Sequence, residues 1–331
     1  MTQPISHAAA PAPGSCCPGL PRISIVIPAK DEAGRIGRAL TRILAAVRSG
    51  CEIIVVTDSA ADPTWEEVQA RAAAEPRLRC LVSEYGPGPA NAIRYGIDDA
   101  RAEVVVVTMA DNSDDPRQID ELAALVEHGA AVGVASRYSR GGGQIGGPIV
   151  KGLLSRLAGR SLHILARPGT RDATNSFKAY STSFVREVGI DSRQGFAIGI
   201  ELTAKARRLR RQVAEIPTIW LDRQDGTSGF RMLGWMPSYL RWYLFCFGRK
   251  LTADQLAARR SRLGARRARL ASRRGAASPG LRSEGRATRE GVASGRPGGE
   301  RTTLQPNEWA AWHVIGAEER LVGARDSRGT A

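Results

Sequence analysis

Three aspartates lie close together in the segment Met-Ala-Asp-Asn-Ser-Asp-Asp-Pro at residues 109–116. The first, Asp111, follows residues 104–108, where four valines and a threonine predict a strand that is buried on both faces. A carboxylate that leaves a buried strand for a cleft suits a hard divalent cation, because Mg²⁺ or Mn²⁺ commonly binds one or two carboxylates together with substrate phosphates. We therefore predict that Asp111 binds metal.

The other two aspartates, Asp114 and Asp115, directly precede Pro116, where a helix is predicted to begin. An aspartate at this position commonly accepts hydrogen bonds from the first N–H groups of the helix. We assign this capping role to Asp115 in preference to a role in metal binding.

Basic residues that could hold phosphate follow the fifth predicted strand, and they are Arg137, Arg140, Lys151, Arg171, Lys178 and Arg223. Arginine suits phosphate because its planar guanidinium donates two parallel hydrogen bonds. Any one such residue is ordinarily a solvated surface charge. The favoured candidates are Arg137, directly after a buried strand, and Arg223, within Asp-Arg-Gln-Asp-Gly-Thr-Ser.

A glycine-rich segment, Gly-Gly-Gly-Gln-Ile-Gly at residues 141–146, formally matches the GxGxxG pattern of dinucleotide-binding proteins. The segment does not directly follow a strand, and no acidic residue stands about twenty residues later, so we reject a dinucleotide site. Two interpretations stay open: a mobile loop over a phosphate site and a plain flexible loop.

Short β-branched runs alternate with amphipathic stretches between residues 22 and 250, which predicts an α/β fold with a mostly parallel sheet covered by helices. The predicted strands are residues 23–27, 53–56, 81–82, 104–108 and 131–135. Ligands of such sheets bind beyond the carboxyl ends of the strands. Glu32, Asp58 and Asp111 follow the first, second and fourth strands, so we expect them at one edge of the sheet.

The chain has 331 residues, of which 42% are hydrophobic, and a formal net charge of +15. This composition supports a buried core, excludes an acidic solvating protein and favours an anionic partner. The cysteines lack the spacing of a metal site or a disulfide framework. No stretch approaches the roughly 18 to 20 apolar residues that span a bilayer, and no signal-peptide pattern is present, so we expect a cytoplasmic location.

Composition divides the chain into three parts. Residues 1–21 are rich in Ala and Pro and are predicted to be disordered, and residues 22–250 are predicted to form the folded domain. Residues 251–331 hold 16 Arg, no Lys and 8 acidic residues, which predicts an Arg/Gly-rich, mostly disordered tail. The start of this tail, residues 251–274, is predicted to form a basic helix.

Seven of the chain's eighteen aromatic residues lie within residues 230–247, with Arg and Lys interleaved or following up to residue 250. Aromatic and basic residues together favour the interfacial layer of a membrane. An ordinary core helix packed on the sheet explains the pattern equally well. The segment 230–250 is thus predicted either to contact the inner face of the membrane or to pack in the core.

Several segments together form a recognisable series: Ile-Ser-Ile-Val-Ile-Pro-Ala-Lys-Asp-Glu at 23–32, Val-Thr-Asp-Ser at 56–59, Gly-Pro-Gly at 86–88, the aspartate segment at 109–116, Ala-Ser-Arg-Tyr at 135–138, Arg-Asp-Ala-Thr-Asn-Ser-Phe-Lys at 171–178, Glu201, Glu-Ile-Pro at 215–217 and Gly-Thr-Ser at 226–228. In order and spacing, the series resembles the inverting family 2 of nucleotide-sugar glycosyltransferases. It is most similar to the dolichol-phosphate mannosyltransferase branch, which includes polyprenyl-phosphate glucosyltransferases.

The resemblance implies a GT-A-type nucleotide-diphospho-sugar transferase fold with a divalent metal, Mg²⁺ or Mn²⁺. By position, Pro28, Ala29 and Glu32 would hold the nucleoside, and Asp58 would lie beside the base. Asp111 would be the later acid of the family's DxD motif and would bind the metal.

On the phosphate side, the resemblance implies that Arg137 and Arg223, helped by Ser228, grip donor or acceptor phosphates. Asp172 and Lys178 would line the acceptor side. The sequence departs from the family pattern at two places. Met109 replaces the first acid of the DxD motif, and residues 57–60 read Thr-Asp-Ser-Ala instead of the usual Asp-Asp-Gly-Ser.

The implied reaction moves a hexose, mannose or glucose, from a donor such as GDP-mannose or UDP-glucose to a polyprenyl (dolichyl-type) phosphate. A phosphomonoester is already ionised near neutral pH, with a second pKa of about 6, so the reaction needs no general base. The protein would work at the anionic surface of the membrane, as a peripheral enzyme.

Two alternatives stay open. The same fold could transfer sugar to a soluble or saccharide acceptor, which requires a base, with Asp172 and Glu201 as the candidates. In the other alternative, a non-catalytic protein binds nucleic acid through the Arg-rich tail. The number of site-like residues in the folded domain makes nucleic acid the disfavoured partner.

Overall fold

A computed structural model describes residues 20–147, 149–222 and 232–276 of the chain. Its main sheet has the strand order β3-β2-β1-β4-β7-β5-β8, and β6 pairs with β9 in a separate two-stranded sheet. The strands are β1 (Ile23–Pro28), β2 (Cys51–Thr57), β3 (Leu78–Val82), β4 (Val104–Val107), β5 (Val132–Ser136), β6 (Gly143–Ile145), β7 (Lys178–Ser181), β8 (Val213–Pro217) and β9 (Ile219–Leu221).

The helices alternate with these strands along the chain. They are α1 (Ile36–Ala46), α2 (Pro63–Ala72), α3 (Pro89–Asp99), a 3₁₀ turn (Pro116–Gln118), α4 (Ile119–Glu127), α5 (Ile149–Ser161), a π-helical turn (Leu162–Ala166), α6 (Thr182–Val188), α7 (Ile198–Arg208), α8 (Met232–Cys246) and α9 (Ala253–Ala276). No helix in the described part of the chain is long and apolar enough to cross a bilayer.

The sheet is buried on both faces, which explains its uninterrupted apolar strands. On one face Ile25 belongs to a core cluster with Leu40 of α1, and on the other Val26 belongs to a cluster with Ile93 of α3. Gly96 allows α3 to approach closely, because a Cβ at this position would lie 2.6 Å from Val26 Cγ1. The predicted fold class, a mostly parallel sheet flanked by helices, is confirmed.

Two features depart from the sequence expectations. β7 runs antiparallel between β4 and β5, although the alternation of elements gives no sign of it. The glycine-rich segment is not a loop throughout, because Gly143–Ile145 forms β6 and pairs in parallel with β9. The basic helix predicted at residues 251–274 is confirmed as α9.

Candidate active site

The ends of several strands converge at one edge of the main sheet. β1, β2 and β4 run in parallel and present their carboxyl ends there. Because β7 is antiparallel, its first residue, Lys178, lies opposite Val107 of β4 and Val134 of β5, at the same edge. The segments after β1, β2, β4 and β5 and the segment before β7 therefore surround one region. The sequence predicts this location for the segments after β1, β2 and β4, which carry Glu32, Asp58 and Asp111.

The predicted nucleoside side lies after β1 and β2. The Ala29 backbone N–H donates to Val56 O at 2.9 Å, which joins the two strand ends. Asp58 Oδ1 accepts from the Gly88 N–H at 2.9 Å, and Asp58 Oδ2 is buried without a hydrogen-bond partner among the described residues. Burial raises the pKa of the Asp58 carboxyl. Asp58 thus has an unused acceptor oxygen that could take an N–H from a base.

The loop after β1 is fixed by the start of α2. Asp62 caps α2 by accepting from the Thr64 N–H, and its carboxylate also accepts from the Asp31 N–H. Glu32 is buried and accepts from Arg35 Nε at 2.7 Å, while its N–H donates to Thr64 Oγ1. Pro28 and Ala29 are also buried. Glu32 therefore supports the loop through these contacts.

The three aspartates after β4 have different surroundings. Asp111 is half-buried and its Oδ1 accepts from the Ser113 N–H at 3.1 Å. Asp114 is buried, and its Oδ2 accepts from Thr108 Oγ1 at 2.8 Å and from the Met109 N–H at 3.2 Å. Asp115 accepts from the N–H of Arg117 and caps the 3₁₀ turn, which confirms its predicted role.

This arrangement fits a metal site with one protein carboxylate. No group of three or more His, Cys, Asp or Glu gathers in a metal-binding arrangement within the described residues. Asp111 is the carboxylate at the surface of the site, Met109 takes the place of a second, and Asp114 is directed at Thr108 and the backbone. A Mg²⁺ or Mn²⁺ ion accepts such a site when substrate phosphates and water complete its shell.

Asp114 makes stability depend on pH. Burial and the charge of Asp111 raise its pKa to about 7. Between about pH 4 and pH 7 the folded protein keeps a proton that the unfolded chain releases, so stability falls as pH rises through this range. The side chain in Asp114→Asn cannot ionise. As the pH rises from 4.5 to 8, the free energy of unfolding of this variant should therefore increase relative to that of the wild type, by on the order of 2 kcal/mol. Parallel melting-temperature curves for the two proteins would refute this, and Asp115→Asn is the control.

The central ion pair of the site joins Arg137, after β5, to Asp172, before β7. Arg137 Nε donates to Asp172 Oδ2 at 2.7 Å and Nη2 donates to Oδ1 at 2.9 Å. Nη2 also contacts Ser155 Oγ of α5 at 3.3 Å and Thr174 Oγ1 at 3.2 Å. Burial alone would raise the pKa of Asp172, but the charge and hydrogen bonds of Arg137 hold it below its usual range.

This geometry leaves one edge of the guanidinium for a ligand. Asp172 is fully buried, whereas the Arg137 side chain is 11% exposed. Within the described residues, Arg137 Nη1 has no hydrogen-bond partner, because the bonds of the guanidinium run from Nε and Nη2. Asp172 therefore orients Arg137 and does not itself face the site.

Lys178 requires a correction. It was expected to line the acceptor side, but it is fully buried, and its Nζ donates to the carbonyl oxygens of Ala173 and Asn175. Burial lowers the pKa of Lys178 to about 7. Its side chain therefore fixes the turn that carries Asp172 and does not contact a ligand.

Glu201, the other candidate base, is also fully buried. Its carboxylate accepts from the N–H groups of Asp191 and Ser192 at 2.6 and 2.8 Å and pairs with Lys205 at 2.6 Å. A carboxylate that is fully buried and held by these three contacts is not exposed to an acceptor hydroxyl. Neither Asp172 nor Glu201 is placed to act as a general base.

Two predicted residues, Arg223 and Ser228, lie outside the described residues. The structure adds Ser155 and Thr174 to the site, which sequence reasoning missed as separate candidates. Thr174 lies in the segment 171–178, which is part of the series that resembles the family, but Ser155 lies outside every such segment. Ser155 is found only when α5 is seen to pack beside Arg137.

Comparisons with known proteins give the family and the relatives of this chain. The family profile of glycosyl transferase family 2 matches residues 24–189. An undecaprenyl-phosphate mannosyltransferase of Micrococcus luteus is 25% identical over 213 residues, which cover 62% of this chain and 86% of the relative. A dolichol-phosphate mannosyltransferase of Pyrococcus furiosus is 28% identical over 214 residues, which cover 62% of this chain but 58% of the relative.

Solved structures share the fold. Glucosyl-3-phosphoglycerate synthase from Mycobacterium tuberculosis, in complex with Mn²⁺, UDP and glucosyl-3-phosphoglycerate, has a TM-score of 0.53 and 19% identity, covering 69% of this chain and 81% of that one. The same enzyme with Mn²⁺, UDP and phosphoglyceric acid has a TM-score of 0.52 and 20% identity, covering 69% and 79%. At this identity the likeness shows the fold, and the predicted GT-A-type architecture is confirmed.

Proposed function

Because the chain belongs to glycosyl transferase family 2, we propose that it moves a hexose, mannose or glucose, from a nucleotide diphosphate sugar to a polyprenyl phosphate. The two mannosyltransferase relatives support a lipid phosphate acceptor by their names. The observation that carries the proposal is the state of the two candidate bases, Asp172 and Glu201.

Both carboxylates are fully buried and ion-paired, to Arg137 and Lys205 respectively. Transfer to a sugar hydroxyl needs a base to take its proton. Transfer to a phosphomonoester needs none, because its oxygen already carries negative charge at neutral pH. A site with an oriented guanidinium, in which neither of the two candidate bases of the described chain is available, thus favours the phosphate acceptor over the saccharide acceptor.

In the proposed reaction, a phosphate oxygen of the acceptor attacks the anomeric carbon and forms a new C–O bond. The bond from that carbon to the donor diphosphate breaks, the electron pair leaves with the nucleoside diphosphate, and the configuration inverts. Arg137 would hold the acceptor phosphate through Nη1, in the orientation that Asp172 fixes. A divalent cation, Mg²⁺ or Mn²⁺, bound by Asp111 would neutralise charge on the leaving diphosphate.

The donor base should carry an N–H on its pairing edge. Asp58 offers one buried, unpartnered carboxylate oxygen, which accepts such a hydrogen and repels a ring nitrogen lone pair. Guanine and uracil present a ring N–H there, whereas adenine and cytosine present a bare ring nitrogen beside an amino group, so Asp58 favours the first two through the ring position. GDP-mannose and UDP-glucose are therefore the donors to test first.

The membrane contact predicted for residues 230–250 gains support from exposed apolar side chains on α8 and on the helix beside it. The exposed residues are Leu153, Leu154 and Leu157 of α5, Ile164 and Leu165 of the π-turn, Met236, Leu240 and Leu244 of α8, and Phe247. Ser161 Oγ and Tyr243 Oη are 2.8 Å apart, so the two helices are neighbours. Arg241, Arg249 and Lys250 supply positive charge for anionic headgroups.

The double variant Leu157→Ser/Leu244→Ser should therefore weaken binding to vesicles of phosphatidylglycerol and phosphatidylcholine at least about tenfold, since each buried leucine contributes roughly 1.5–3 kcal/mol. Co-sedimentation measures this. Leu20→Ser is the matched control, because Leu20 is 82% exposed just before the first residue of β1, at the opposite edge of the sheet. Equal binding by both variants would contradict a bilayer contact through α5 and α8.

The proposed function is tested by incubating the purified protein with radiolabelled GDP-mannose, UDP-glucose or ADP-glucose, polyprenyl phosphate in detergent, and Mg²⁺ or Mn²⁺. Label that enters the organic phase and disappears with a chelator supports the proposal and identifies the donor. Label confined to a water-soluble glycoside would establish a soluble acceptor. Absence of any transfer, together with salt-sensitive RNA or DNA binding that deletion of residues 277–331 removes, would favour the nucleic-acid alternative.

A further inference from the structure

Tyr138, the residue after Arg137, lies close to two guanidinium groups. Its ring centroid is 5.0 Å from Arg137 Cζ and 5.4 Å from Cζ of Arg156 on α5. Because both distances are measured to the same ring centroid, their sum is an upper limit on the separation of the two Cζ atoms. Both contacts lie within the range of attraction between a cation and an aromatic ring.

Among the described residues, neighbours contact the ring of Tyr138 and form no hydrogen bond with its hydroxyl group. Tyr138 Oη is buried and has no hydrogen-bond partner among the described residues. On the helix side, Gly159 lies close to the ring, since a Cβ there would be 3.5 Å from Tyr138 Cδ2 and 2.3 Å from the Arg171 carbonyl oxygen. Tyr138 thus packs closely against α5 and brings Arg156 toward Arg137.

The two arginines differ in their charge balance. Asp172 neutralises Arg137, whereas Arg156 is exposed and forms no ion pair with a carboxylate of the described chain. Two guanidinium groups near one ring, of which Asp172 pairs with Arg137 only, leave one net positive charge. An anion that contacts both would be bound more tightly as a dianion than as a monoanion.

We propose that Tyr138 and Arg156 complete a two-guanidinium site that selects a phosphomonoester dianion as acceptor. Arg156 would contact the phosphate, and Tyr138 is a positioning residue that places Arg156 opposite Arg137. This inference rests on the proposed function, since it concerns the same acceptor. It adds the discrimination between a phosphomonoester and singly charged anions, which Arg137 alone does not provide.

The test uses two probes, geranyl phosphate and its monoanionic methyl ester, with calorimetric binding to the full-length protein. The wild type should bind geranyl phosphate at least about tenfold more tightly than the ester. Arg156→Gln should lose most of this preference, and Tyr138→Leu should lose it equally. Tyr138→Phe keeps the ring and should keep the preference, with unchanged or higher thermal stability.

Arg160→Gln is the matched control, because Arg160 is also an exposed arginine of α5 but makes no contact with the Tyr138 ring. A preference unchanged in Arg156→Gln, or lowered equally in Arg160→Gln, would overturn this inference while leaving the phosphate acceptor intact. If the wild type binds neither probe, the proposed acceptor fails as well. In all variants, binding of GDP and UDP should stay within twofold of the wild type.

Discussion

Replacing Asp111 with asparagine is expected to lower the rate of sugar transfer at least about 100-fold while leaving the fold intact. Asp111 is a half-buried carboxylate after β4, and Met109 stands where the resemblance implies a first acid of the DxD motif. Loss of one preorganised electrostatic contact to a developing charge commonly reduces the rate about 10²- to 10³-fold. Within the described residues no group of three or more possible metal ligands gathers, so no other acid is expected to compensate.

The matched control is Asp115→Asn, which removes the same charge four residues later from a cap on the 3₁₀ turn. It should keep near wild-type activity. The second readout is binding of Mn²⁺ in the presence of GDP or UDP, followed by electron paramagnetic resonance. If Asp111→Asn binds Mn²⁺ and transfers sugar like the wild type, the assignment of Asp111 to the metal is wrong.

The second large effect is expected at Arg137. Arg137→Met leaves Asp172 fully buried without its partner, and breaking a buried ion pair commonly costs about 3–5 kcal/mol. In a domain of this size the melting temperature should fall by roughly 10 °C. Transfer should be lost as well, because the acceptor phosphate would lose its oriented guanidinium.

A second variant separates folding from function. Arg137→Met/Asp172→Leu removes both charges, and such apolar replacement of a buried pair is often neutral or stabilising. The double variant should therefore recover most of the melting temperature but no transfer activity. Recovery of transfer together with stability would show that Arg137 acts only through the fold.

The alternation of strands and helices was enough to predict where most elements lie. The valine run at β4 is a local signal, and the strand lies in the structure where it is expected. The antiparallel β7 has no local signal, because its direction depends on which strand edges remain to be paired. The pairing of Gly143–Ile145 with β9 likewise joins segments far apart in the chain.

From the sequence, only those site residues that directly follow a predicted strand could be placed at the edge of the sheet. Asp58 and Asp111 follow strands, so the sheet alone brings them to one edge. The partnership of Arg137 and Asp172 spans 35 residues, and the sequence contains nothing that ties one to the other. The burial of Lys178 could not be predicted for a related reason. A lysine at the start of a strand is ordinarily a surface charge, and only the folded turn shows that its ammonium group donates to the carbonyl oxygens of Ala173 and Asn175.

In the proposed reaction the acceptor arrives already ionised, so that no base has to take its proton. The most direct measurement offers the purified protein its donor with geranyl phosphate, geraniol and methyl mannoside in one reaction, and identifies the products by mass spectrometry and NMR. We predict one product, a glycosyl phosphate with inverted anomeric configuration relative to the donor. A glycoside formed on geraniol or on the sugar hydroxyl would contradict the account.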